Sequence, residues 1–151
     1  MNKSSSGKFA LLRIAFGLVW AIDASFKWQS TFISGFKETV GGAIANQPQL
    51  IQAWIKLWVN IISVNPHLFA ILTAVVETII ALGLIFGVAT RYIIYLGIIF
   101  ALLIWTTAEG FGGPYQESST DIGAGIIYVF VFVALLLGKA WQAYSWDARK
   151  K

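Results

Sequence analysis

The chain has no cysteine among its 151 residues. That absence removes disulfides, thiolate metal sites, iron–sulfur ligation and a cysteine nucleophile from what it can supply itself. Histidine is nearly absent too: His67 stands alone, and one imidazole cannot provide a pair of axial haem ligands. No haem, iron–sulfur cluster or metal is therefore expected on this chain, and a redox cofactor would be non-covalent, diffusible or held by a partner. Charge is scarce as well. Only 12% of residues are charged while 58% are hydrophobic, against about 25% charged in soluble domains. The net charge of +4 does not call for nucleic acid, because the bases are scattered and many sit at the ends of apolar runs, where membrane orientation accounts for them. Internal repeats, low-complexity tracts and a second domain are also missing, which predicts one membrane domain over residues 1–151.

What is present is a set of long apolar runs. Windows of bilayer-crossing length predict spans at about 9–28, 67–87, 92–108 and 122–138. The expected fold class is thus all-α, a four-transmembrane-helix bundle. Arg13, Asp23 and Lys27 interrupt the first run, so it reads as a retained span and not as a cleaved signal peptide. Lys3 and Lys8 precede that span, Arg91 fills the turn between the second and third, and Lys139, Arg149, Lys150 and Lys151 follow the fourth. The segment from Glu109 to Asp121 contains no Lys or Arg. The positive-inside rule then predicts a multi-pass protein of the cell membrane with both termini cytoplasmic.

The first outer loop is more than a linker. Leu50, Ile51, Trp54, Ile55, Trp58, Ile61 and Ile62 recur at helical spacing between Pro48 and Pro66, predicting an amphipathic interfacial helix at about 48–63. Such a helix either anchors on lipid headgroups or caps the bundle and roofs a cavity. Before it, Gly35, Gly41 and Gly42 predict a flexible approach.

The informative residues are the polar ones inside the apolar runs. Glu77 falls about 15 Å along its span, near the midplane, where a carboxylate normally faces a partner, a cavity or a ligand. Arg13 lies about 6 Å into the first span, which predicts a Glu77 partner if the two helices touch, either as a structural ion pair or as a proton relay. Asp23 and Lys27 stand at i,i+4, the spacing of a local ion pair. With Glu109 and Asp121 at the outer edge and Trp20 and Trp105 nearby, they form a candidate ligand-binding group under an aromatic mouth. Each has a structural alternative: Asp121 as a helix cap, Asp23 with Lys27 as a staple, and most tryptophans as membrane-belt residues.

These residues resemble the DoxX/DoxD-like membrane proteins. The resemblance rests on Arg13, Gly17, Asp23 and Lys27 in the first run, and on Glu77, Gly83, Gly87 and Thr90-Arg91 around the second. The segment from Trp105 through Glu109-Gly-Phe-Gly-Gly-Pro-Tyr115 to Asp121-Ile-Gly123 resembles the DoxD type. It implies a four-helix membrane protein and, in some members, the small subunit of a thiosulfate:quinone oxidoreductase with quinone as cofactor. It also implies that Arg13, Lys27, Glu77, Glu109 and Asp121 line the polar site. Without cysteine, no thiosulfonate intermediate can form on this chain. The competing expectation is a non-catalytic accessory subunit of a larger membrane respiratory complex. Expected partners are membrane lipids and either other membrane subunits or further copies of the chain.

Overall fold

The computed structural model describes residues 3–149 apart from 118 and 120, with side chains from Ser6 onward. The side chain of Lys3, the polar pair Ser118 and Thr120, and the terminal Lys150 and Lys151 thus lie outside the described residues. The architecture is all-helical, with no strand among the described residues. Helix α1 runs Lys3–Lys27, followed by the short α2 (Ser30–Ser34) and α3 (Phe36–Gly42). Next come α4 (Gln49–Ile62), α5 (Pro66–Phe86) and α6 (Thr90–Thr106), then a 3-10 turn at Gly110–Gly112. Helix α7 (Ala124–Leu137) and a terminal turn of helix, α8 (Trp146–Arg149), complete the chain.

Local chemistry sets these boundaries. Asn65 caps α5 by accepting from Leu68 N at 3.0 Å, and Pro66 occupies the first turn, where its missing N–H costs nothing. Gly87 ends α5 at φ 66°, a left-handed conformation that glycine adopts without a Cβ clash. Two helices are long and apolar enough to cross a membrane, α1 over Ser6–Lys27 and α5. Helices α6 and α7 are equally apolar but shorter, at 17 and 14 residues. The fourth expected span, at 122–138, therefore contracts to a helix about 21 Å long, because an extended turn ending at Gly123 (φ 87°) delays its start.

Helices α1 and α5 pack antiparallel and close. A methyl group placed on Gly17 would fall 2.9 Å from Leu84 Cβ and 2.9 Å from Ile85 Cγ1. Helices α6 and α7 form a second antiparallel pair. Between the pairs lies a buried cluster of Phe16, Trp20, Ile80, Leu84, Ile94 and Phe132, with Phe16 edge-on to Phe132 at 4.9 Å. Burying side chains of this size contributes roughly 1.5–3 kcal/mol each in a water reference, and in lipid the gain comes mainly from close packing.

A second, smaller cluster joins Val40 of α3 to Ile55 and Ile62 of α4, with Phe69 of α5 packed against it. Helix α4 contributes Trp58 and Ile62 to the roof of a cavity at one end of the bundle. Leu50 and Leu57 remain exposed on its other side. The approach to it is largely helical, α2 and α3, where the glycines predicted a flexible segment. Phe36 and Val40, one turn apart, anchor α3 to the same cluster.

Candidate functional site

Beneath this cap, α1, α5, α6 and α7 enclose a cavity of about 440 Å³. Its walls are mostly aromatic and aliphatic, including Trp20, Phe32, Phe36, Trp58, Phe100 and Tyr128. Trp20 is buried to 1% exposure and stacks at a tilt on Tyr128, with centroids 5.6 Å apart. Into this apolar space project Asp23, Lys27, Glu77 and Glu109.

The charges form one connected set. Lys27 Nζ lies 3.0 Å from Asp23 Oδ1 on its own helix and 3.5 Å from Glu77 Oε2 on α5. The same ammonium sits 5.4 Å above the Phe32 ring. The Glu77 side chain is fully buried and that of Asp23 is 38% exposed. Neither Glu77 oxygen has a hydrogen-bond partner of good geometry, since 3.5 Å is a long charge contact. Across the cavity, Glu109 Oε2 accepts from Gly125 N at 2.9 Å, at the start of α7, where four backbone N–H groups need acceptors. A short arc of α1, Asp23 and Lys27, thus faces the middle of α5 and the head of α7.

The expected Arg13–Glu77 pair does not form. Arg13, fully buried, donates from Nη1 to Ala140 O at 3.2 Å and from Nη2 to Tyr144 O at 2.5 Å. It stands level with Gly87, while Trp28 Nε1 donates to Thr78 Oγ1 at 3.1 Å. The end of α1 therefore meets the middle of α5, and Lys27, not Arg13, reaches Glu77. Depth counting placed the two spans flush, but α5 overshoots α1 by about 16 Å at that end. Glu77 consequently belongs with the group expected to lie above it.

Besides Arg13, two expected site residues stand outside the cavity lining. Asp121 is exposed, and its Oδ1 accepts from Gly123 N at 2.7 Å in a local turn before α7. Trp105 Nε1 donates to Ile122 O at 2.8 Å, and its ring packs edge-on against Phe111. Trp105 thus ties the segment before α7 to the end of α6. Trp20, Asp23, Lys27, Glu77 and Glu109 are brought together. Most of the apolar lining escaped the sequence reading, Tyr128 and Trp58 among it. Tyr128 lies in an uninterrupted apolar helix with no pattern to mark it, while Trp58 was legible only as part of an amphipathic face.

The opposite end of the bundle is a staple. The chain after α7 turns back through Lys139 (φ 48°) and Tyr144 (φ 46°), presenting its carbonyls to Arg13. Asp147 then accepts from Ala89 N at 2.9 Å and Thr90 N at 2.7 Å, at the start of α6. Burial pushes the Asp147 carboxyl up, but these N–H bonds and the nearby Arg13 charge outweigh it and hold the group below the usual carboxylate range.

Comparison with known proteins adds one finding. The family model described as DoxX matches residues 9–110, which runs from Phe9 within α1 through the first residue of the 3-10 turn and includes every charged cavity residue. No curated protein and no solved structure matches the chain.

Proposed function

The chain belongs to the DoxX family of membrane proteins, and from that premise we propose that it is a quinone-binding subunit of a membrane redox system. The observation that carries this reading is the contact of Lys27 with a fully buried Glu77 in the wall of a largely apolar cavity. The volume suits one planar headgroup, and the apolar walls suit the first part of a tail. A quinone supplies two-electron, two-proton chemistry when bound.

The residues have separable tasks. Lys27 would hold a headgroup oxygen, with Asp23 keeping its ammonium in place. Glu77, whose oxygens have no hydrogen-bond partner among the described residues, would exchange a proton there. The rings of Phe32, Phe100 and Tyr128 exclude water, which strengthens each of these contacts. With no cysteine in the chain, electrons from thiosulfate or another reductant reach the site from a partner subunit or by direct transfer.

In the membrane, α1, α5, α6 and α7 cross as four spans. Lys8, Arg91, Lys139 and Arg149 mark the cytoplasmic end, and both termini lie there.

Binding of a short-tailed benzoquinone to the purified protein in nanodiscs tests the reading. The wild-type chain binds it, and Lys27→Met weakens binding about tenfold or more, the usual loss for a hydrogen bond from a charged donor. A wild-type protein that binds no quinone sinks the proposal. Full respiratory turnover in membranes carrying Glu77→Gln would favour the accessory role instead.

A further inference from the structure

Helix α7 contains one hydroxyl side chain, Tyr128, and is otherwise apolar from Ala124 to Leu137. Its ring is held from the α1 side, edge-on to Phe16 at 5.4 Å and tilted on Trp20 at 5.6 Å. Helical side chains lean toward the N-terminus of their helix. The phenol therefore leans toward the head of α7, where Gly125 N meets Glu109 one turn above. That head borders the cavity, and Tyr128 lines it. The hydroxyl makes no hydrogen bond among the described residues, yet it is not sealed off as the Trp20 and Trp58 indole nitrogens are. All four charged cavity residues, Asp23, Lys27, Glu77 and Glu109, lie within electrostatic reach of it. It is an open polar group in an apolar wall.

We infer that the Tyr128 hydroxyl is a specificity-determining contact for a ring oxygen that alternates between carbonyl and hydroxyl, donating to the first and accepting from the second. A phenol hydroxyl has a donor and acceptor lone pairs, and its hydrogen rotates to suit the partner. Lys27 lacks this freedom, because an ammonium only donates. With water excluded by the surrounding rings, a ligand oxygen near α7 finds its partner in Tyr128 or in nothing, and an unpaired buried polar group is costly. The cost would fall on the oxidised and the reduced ligand alike. The inference rests on the cavity being the quinone site proposed above, and adds how one site holds both forms of the carrier.

Calorimetric binding to the full-length protein in nanodiscs tests it with a decyl-tailed benzoquinone and with its quinol, kept anaerobic. Tyr128→Phe, which retains the ring against Phe16 and Trp20, should weaken each form about fivefold. Tyr95→Phe, on α6 and outside the cavity lining, should change neither. Unchanged affinity for both forms in Tyr128→Phe overturns the inference while leaving the quinone reading intact. So does a loss confined to one form, or an equal loss in Tyr95→Phe. A wild-type protein that binds neither probe overturns both.

Discussion

Lys27 is the residue on which the cavity's charge balance turns. Three carboxylates, Asp23, Glu77 and Glu109, share the cavity with this one ammonium. Removing it leaves a fully buried Glu77 without the one opposite charge that contacts it among the described residues, and a broken buried pair costs about 3–5 kcal/mol. Lys27→Met should therefore lower unfolding stability in detergent by about 3 kcal/mol. The double variant Lys27→Met/Glu77→Gln should lose less than Lys27→Met alone, because the stranded charge is gone. Strictly additive losses in that double-mutant cycle would show that the 3.5 Å contact carries no coupling. Arg13 is the contrasting case. Its Nη1 and Nη2 donate to main-chain carbonyls, so its charge shapes the C-terminal turn and not the cavity.

Among the elements, α8 and its lead-in act through Asp147, whose carboxylate caps α6. Because folding lowers the pKa of this group, its stabilisation is fully present above the ordinary carboxylate range and is lost as pH falls through the lowered value. The difference in melting temperature between wild type and Asp147→Asn should be full at pH 7 and close below about pH 4. A difference that persists unchanged in acid would refute the cap. Element boundaries were largely legible. Pro66 and Gly87 punctuate α5 within one residue of the expected 67–87, and the amphipathic period located α4 at Gln49–Ile62. The vertical register of α1 against α5 was not legible, because periodicity orients a helix face without fixing its offset. Nor were the acceptors of Arg13, since a carbonyl has no side-chain signature. Helices α2 and α3 span 5 and 7 residues, too few for a helical period to stand out.

For the whole molecule, the absence of cysteine makes topology directly measurable. A single cysteine at Tyr115 should react with a membrane-impermeant maleimide on intact cells, whereas one at Lys139 should react only after permeabilisation. Equal labelling of both would mean that α7 does not cross. The two ends of the bundle differ in construction. One is a ligand-sized cavity under α4, and the other is sealed by the C-terminal turn on Arg13 and Asp147. That seal has a consequence for biosynthesis. Arg13 enters the bilayer with α1, ahead of α5, α6 and α7, at a cost that an isolated arginine in lipid cannot avoid. Its acceptors, Ala140 O and Tyr144 O, are more than 125 residues away in the order of synthesis. A chain not yet extended through Tyr144 thus carries a guanidinium without these two acceptors.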